Sequence, residues 1–431
     1  MAIIFFIIIT LLLFIYCYFK YRYGFWIEQP VFHIYNLGYY IAPCGIIDSK
    51  LPSKNKFVNL NNIKTSLISQ LDDFNSQQII NFINNNYLTN GGNRFIINRN
   101  NANNFNAYFT GLNGKCFISQ LTKDDNLVSN KNGIINIIPH QKLIGLMTSR
   151  PINIIINQLK RQKNLNASFG DATPGTNGYP NFLAYYVDYL CVDLNERKKG
   201  YAPQLIQTHH YNQRREAPHI YVSLFKREDE LTGIVPLCVY KTYGFNVTNW
   251  NKPQSLPKPF KLVEINTQNL TYLMDFINKL LEGRENSIFI YSSLANLNEL
   301  IKTKNIFVTM VVNGEKICGA YFFKKSCVEI ETDLEVLTCY CSFYDEMTSS
   351  TLTTSISGFS KDLFILGFKN SFWNCAYENY FGFCAIEELS YNNIIINNII
   401  QKTKPLIISP TAYYFYNFAY NTFPSENVFI L

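Results

Sequence analysis

Hydrophobic and polar positions along this chain follow several distinct periods. Residues 2–19 carry no charge, and at about 1.5 Å per residue they reach close to the roughly 30 Å of a bilayer core, which predicts a transmembrane helix or uncleaved signal anchor. Residues 63–88 place Leu67, Leu71, Phe74, Ile79, Ile80, Ile83 and Tyr87 near helical spacing, which predicts one or two amphipathic helices. Residues 142–156 read as two strands with Pro151 between them. Tyr186, Val187, Tyr189, Leu190 and Val192 are aromatic, β-branched or aliphatic and predict a buried strand; a basic turn follows, then a helix with Pro203 in its first turn. Downstream, the pattern gives a strand at 221–225, a helix at 270–281, and strands at 306–312 and 318–323 joined at Asn313-Gly314, a hairpin signal. A strand at 337–344 comes next, the runs 364–368 and 371–376 continue the sheet, and residues 386–400 form a helix.

Strands and helices in this mixture predict an α/β (α+β) fold, and 431 residues, 47% hydrophobic and 16% charged, suffice for two domain-sized halves. The pattern restarts near Leu262, so the chain divides into an anchor at 2–19 and halves at 20–260 and 261–431. Lys20 and Arg22 follow the apolar run and nothing basic precedes it, which places residues 20–431 in the cytosol as a single-pass membrane protein. The Asn-x-Ser/Thr sites at Asn166, Asn246 and Asn269 would then stay unglycosylated. A cleavable signal peptide needs a basic start and a small-x-small site, and this start has neither.

A net charge of +7, without runs of interleaved basic and aromatic residues, excludes a nucleic-acid surface and favours an anionic ligand. Eleven cysteines form no C-x-x-C pair and no zinc spacing, consistent with reduced thiols and no metal. The many Asn and Ile residues read as nucleotide-composition bias.

The chemistry concentrates after residue 192. Arg197, Lys198, Lys199, Gly200, Tyr201 and Ala202 bring three cations and a glycine to the start of a helix, where unpaired backbone N–H groups suit a pyrophosphate. This turn fits the R/Q-x-x-G-x-G/A signature of the GCN5-related acyltransferases. Asp188-Tyr189-Leu190-Cys191-Val192 ahead of it resembles the N-F-L-C-V block of the eukaryotic N-myristoyltransferases, at the same spacing. Further blocks are similar to that family: Tyr23-Gly-Phe25-Trp26 with Gln29-Pro30-Val31, Lys142 to Asn153, Cys238 to Asn246, Ser342-Phe343-Tyr344, and Tyr413-Tyr414-Phe-Tyr416-Asn417-Phe418. The chain departs from it at Leu237 and Thr242, where the family has Thr and His. It also has no acidic run after Tyr87, and Ser409-Pro410-Thr411 replaces a Gly-Asp-Gly. Each block also has a plainer reading: a membrane-interface belt around Trp26, a strand-end cap at Asn153, a buried strand cysteine at Cys191, an aromatic core strand at 413–418.

The resemblance implies two acyltransferase-like halves related by a pseudo-two-fold, with mixed twisted sheets flanked by helices, beside the anchor. It implies transfer of a long-chain acyl group, myristoyl above all, from acyl-CoA to the N-terminal glycine amine of a protein, by direct attack and with no permanently bound cofactor. Tyr23, Phe25, Trp26, Asn153, Tyr189 to Val192 and the turn Arg197 to Ala202 would hold coenzyme A. The backbone N–H groups of Tyr189 and Leu190 would form the oxyanion hole, and the carboxylate of Leu431, on the apolar tail Val428 to Leu431, would be the base. Tyr240, Thr242, Asn246, Tyr344 and Tyr414 would meet the acceptor. An anchor is unusual for the family and resembles membrane-anchored forms in large DNA viruses, which would place the protein in a host or virion membrane. Two other readings fit the same residues: a non-catalytic membrane or virion protein binding acyl-CoA or peptide, and an acetyltransferase of the wider superfamily.

Overall fold

The structure, a computed structural model, describes residues 2–22, 24–87, 94–97, 104–131, 134–157, 181–228, 233–330, 334–345 and 358–431. The chain opens with helices α1 (Ala2–Arg22), α2 (Gly24–Ile27) and α3 (Leu37–Ile41) and short strand β1 (Gly45–Ile46). Then come β2 (Ile63–Leu67), α4 (Asp73–Asn86), β3 (Arg94–Phe95), α5 (Asn104–Ala107), β4 (Phe117–Lys131), β5 (Ile134–Asn157) and β6 (Asn181–Val192). The central part holds α6 (Tyr201–Glu216), β7 (Val222–Glu228), β8 (Cys238–Asn246), β9 (Phe260–Glu264), α7 (Leu270–Glu282), β10 (Ser287–Tyr291) and α8 (Leu294–Lys302). The remainder is β11 (Ile306–Asn313), β12 (Lys316–Ile330), β13 (Leu334–Tyr344), α9 (Lys361–Asn379), β14 (Phe383–Glu387), α10 (Asn392–Ile400), β15 (Ile407–Tyr416), β16 (Phe418–Ala419) and β17 (Val428–Ile430).

One mixed sheet carries most of these strands, in the order β17-β10-β5-β6-β7-β15-β8-β14-β13-β12-β11-β9, with β4 also on β5, β2 on β4 and β3 on β12. Strands from the two expected halves interleave in it. β10 and β17 join the sheet beside β5, and β15 lies between β7 and β8. Helices flank it. In α7, Leu270, Leu273, Ile277 and Leu281 recur at helical spacing and are buried. β11 is buried at nearly every position, so its IFVTMVV run is apolar on both faces.

Five expectations change. Among the described residues no helix is long and apolar enough to cross a membrane, so the single-pass anchor and the cytosolic placement built on it fall. Helix α1 runs on through Lys20 and Arg22, leaving an apolar stretch of about 27 Å, shorter than the roughly 30 Å hydrocarbon core. Residues 63–67 are a strand and only 73–86 a helix, started where the Asp72 carboxylate accepts from Asn75 N–H at 2.7 Å. The runs 364–368 and 371–376 belong to α9, not to the sheet: Phe364, Phe368, Phe372 and Cys375 follow helical spacing, and Ser360 caps the start. Residues 386–387 end strand β14, and α10 begins at Asn392.

Pro151 does not split its strand. On one edge β4 leaves β5 at Ser149 and β10 joins it at Asn153, while on the other β6 pairs through it, with Pro151 opposite Tyr185.

Candidate functional site

The central opening begins where two parallel strands part. β6 and β7 pair only over Ala184 to Tyr186 and Val222 to Leu224. Beyond that β6 stays with β5 as far as Val192, while β7 stays with β15 as far as Glu228. Each strand is held by its outer neighbour, so the gap between them widens. A cavity of about 250 Å³ lies there, lined among others by Trp26, Met147, Val187, Leu190, Phe225 and Tyr416. Trp26 stacks on Phe225 with centroids 5.6 Å apart, and Phe225 on Tyr414 at 5.3 Å. Phe25 packs edge-on to Trp26 and Phe57.

The amino-terminal aromatic block is fixed by the carboxyl-terminal one. The Tyr416 hydroxyl donates to Gln29 Oε1 at 2.7 Å, and Asn417 N–H donates to the Pro30 carbonyl at 2.7 Å. Asn417, at φ 63°, also bonds both backbone groups of Asp48 and the Tyr221 carbonyl. Tyr23 lies outside the described residues.

The basic turn sits at the end of β6. Lys198 and Gly200 take φ of 65° and 78°, and α6 starts at Tyr201 with no side-chain cap on its first amides, which leaves them free for an anion. Gly145 lets α6 approach β5, since a Cβ there would meet Leu205 at 2.9 Å. Lys198 and Lys199 are exposed, and Lys199 pairs with Glu196 at 2.8 Å. Arg197 is spent on the turn itself, donating to the carbonyls of Asn86 (2.5 Å) and Val192 (3.4 Å). Tyr201 and Val192 pack beside Leu190, and Ala202 is half-buried.

Register breaks where β6 passes the opening. Met147 faces Leu190 and Ser149 faces Val187, so Asp188 and Tyr189 together oppose Thr148 in a β-bulge. The Tyr189 N–H donates to Thr148 Oγ1 at 3.2 Å instead of to the ladder. Cys191 is buried one residue further, and burial pushes its thiol up to about 12, so it stays protonated at neutral pH.

A second cavity of about 420 Å³ meets the first at Tyr87, Asp188 and Lys226, which line both. Tyr189, Thr242, Tyr413 and Leu431 line this second space. Leu431 is not frayed: β17 pairs in parallel with β10, and Leu431 N–H donates to the Ile290 carbonyl at 2.8 Å. Tyr240 is buried with its hydroxyl on Glu387 Oε2 at 3.3 Å and its ring stacked on Tyr413. Four expected residues lie elsewhere. Asn246 is exposed and caps its own turn through Thr248. Tyr344 donates to the Phe359 carbonyl and lines a separate cleft near Arg284. Tyr414 faces the Trp26 side, while its neighbour Tyr413 faces the second cavity. Asn153 pairs with Leu183 and Tyr291 in the sheet and lines neither cavity.

No family model and no curated protein matches the sequence. Solved structures do. The N-myristoyltransferase of Saccharomyces cerevisiae with bound myristoyl-CoA superposes with TM-scores of 0.63 and 0.64 at 14% identity, over 93% and 94% of this chain and 94% and 90% of that one. A third structure of the yeast enzyme, with myristoyl-CoA and inhibitors, gives 0.60 at 15% identity, over 94% of this chain and 92% of that one. The fold is N-myristoyltransferase-like.

Within this N-myristoyltransferase-like fold, sequence reasoning missed the charges between the cavities. Arg150 Nε donates to both Asp188 oxygens at 3.0 and 3.2 Å, between the rings of Tyr108 and Tyr186. Lys226 and Lys324 both reach Glu387 Oε1, at 3.2 and 3.0 Å. Burial alone would raise the Glu387 pKa, but the two ammonium groups hold it at about 2. Burial lifts Asp188 above the ordinary carboxylate range, outweighing the pull of Arg150. A signal existed: each is a charge inside or just ending an apolar strand, as in YYVDYLCV, SLFKRE, YFFKK and FCAIEE.

Proposed function

We propose that this chain moves a long-chain acyl group from acyl-CoA to the N-terminal glycine amine of a protein. The observation that carries the reading is the bulge at Asp188–Tyr189. Its extra residue puts Val187 and Leu190 together on the cavity between the parting strands, and Asp188 and Tyr189 together on the cavity that Leu431 lines. Residues 20–260 would supply most of the donor side, with the diphosphate on the turn from Lys198 to Ala202 and the pantetheine passing Trp26 and Phe225. Residues 261–431 would add the base.

In the proposed reaction the acceptor ammonium gives a proton to the Leu431 carboxylate, and the free amine attacks the thioester carbonyl. The oxyanion that forms takes the N–H groups of Tyr189 and Leu190; such donors are worth about 3 kcal/mol each in comparable sites. Thr148 Oγ1 must give up its bond to Tyr189 N–H for this. Collapse breaks the C–S bond, the thiolate leaves with the second proton of the attacking nitrogen, and the proton held at Leu431 passes to water. Cys191, buried and protonated, takes no part as a nucleophile.

The test is thiol release from acyl-CoA donors of two to sixteen carbons with glycine-starting peptides, beside a variant with one residue added after Leu431. Peptide-dependent release, best with the long donors and abolished by the extension, is the expected result. Preference for acetyl-CoA would replace the reading with an acetyltransferase. Tight acyl-CoA binding without release would replace it with a binding module.

A further inference from the structure

Lys226 and Lys324 stand in the second cavity and share a single carboxylate oxygen. The other Glu387 oxygen is taken by the Tyr240 hydroxyl. Lys226 has Glu228 in addition, at 3.6 Å, but Lys324 has Glu387 as its one hydrogen-bond partner among the described residues. An ammonium carries three donors. Beneath Lys324 Nζ, at 4.9 Å from the ring centroid, lies Tyr340, itself 4% exposed, whose buried hydroxyl has no partner among the described residues. A buried hydroxyl left unpaired calls for a partner beyond the described side chains, such as a water or a bound group.

Arg150, Lys226, Lys324 and Lys325 line the cavity with Asp188, Glu228 and Glu387, a charge difference that the Leu431 carboxylate would offset, and Arg150 Nε is bound to both Asp188 oxygens. Burial lowers the pKa of Lys324, with Lys226 adding to the shift and Glu387 only partly opposing it, as expected of an under-compensated ammonium.

We propose that Lys324 and Tyr340 form a carboxylate subsite that selects acceptors with an acidic side chain close behind the N-terminal glycine. This rests on the acyl-transfer reading, because Leu431 and Tyr189 line the same cavity and so set the distance from amine to subsite. The incoming carboxylate accepts from Lys324 Nζ and Tyr340 Oη, while the acceptor ammonium lies at the Leu431 carboxylate. The acceptor then brings one charge of each sign into a cavity that already balances with Leu431 included.

The experiment uses the full chain and glycine-starting hexapeptides with Asp, Asn or Lys placed in turn at positions two to five. Peptide binding is read by calorimetry with a non-hydrolysable myristoyl-CoA analogue present, and turnover by thiol release. At one position Asp should outdo Asn by about ten- to a hundredfold in binding and in KM. That ratio should fall to about one in Lys324→Gln and shrink in Tyr340→Phe, which removes one hydroxyl and guards against a folding defect in the first variant. Thiol release with equal or better use of Asn or Lys peptides overturns the subsite and leaves acyl transfer standing. Acid-dependent, Lys324-dependent binding without release supports the subsite and removes the transfer reading. Binding that ignores the acid, or no binding of any peptide, overturns the subsite.

Discussion

Breaking the Arg150–Asp188 pair should show how tightly the junction of the two cavities is built. The pair is short, at 3.0 and 3.2 Å, and its side chains are only 12% and 9% exposed. Asp188→Asn leaves the guanidinium buried without a counter-charge, a situation that costs about 3 to 5 kcal/mol. The rings of Tyr108 and Tyr186, with centroids 5.6 and 5.4 Å away, recover part of this, so a value near 3 kcal/mol is expected. Arg150→Met instead leaves a carboxyl that can escape its charge by keeping a proton. Its folded pKa then lies further above the unfolded value of about 3.9. Between the two values the folded state binds more protons than the unfolded one, so this variant loses stability as pH rises, at up to about 1.4 kcal/mol per unit. Replacing both, as Arg150→Met with Asp188→Leu, removes both desolvation penalties and should fall within about 1 kcal/mol of the parent. Urea unfolding at pH 5 and pH 8 measures all four proteins. Single losses that simply add in the double variant would refute the coupling, and a flat pH response of Arg150→Met would refute the buried carboxyl.

Two further outcomes follow from the same geometry. Gly200 sits at φ 78° with open space around a would-be Cβ, so Gly200→Val should cost about 1 to 2 kcal/mol through backbone strain alone; by reshaping the turn it should also weaken acyl-CoA binding without changing peptide affinity, checked by calorimetry with each ligand. His209 is buried between Ser119 and Ser149, and since Ser149 donates to Gln213, His209 Nε2 donates and Nδ1 accepts. Burial holds its pKa at about 4, below the unfolded 6.5, so the unfolded state binds more protons in that window. His209 should therefore contribute a fall of up to about 3 kcal/mol in stability as pH drops from 6.5 to 4, and His209→Gln should reduce the slope in urea titrations without abolishing it, because buried His210, held at about 3, acts in the same sense.

Much of the scaffold was legible because its signals are local. Apolar, aromatic and β-branched runs gave β6, β7, β11, β12 and β13, the Asn313-Gly314 turn joins β11 to β12, and Pro203 lies in the first turn of α6. The errors came where a local pattern has two solutions. Phe364 to Ala376 has enough apolar residues for a strand or a helix, and burial against the Tyr321 side of the sheet, with Gly367 allowing the close approach, selects the helix. The uncharged start read as a bilayer span from length alone, where a few ångströms decide.

The sequence by itself determined the basic glycine turn, the strand leading into it and the aromatic blocks at both ends, since each depends on residue type and near neighbours. Only the tertiary structure decided which of these meet. Gln29 reaches Tyr416 across nearly the whole chain, and the bulge opposite Thr148 brings Val187 and Leu190 to one cavity and Asp188 and Tyr189 to the other. Lys226, Lys324 and Glu387 become one cluster only because β15 inserts between β7 and β8 while β14 and β13 bring β12 alongside. Pairing between distant strands is set by the register and burial of the whole sheet, a sum over many residues that no short stretch of sequence contains.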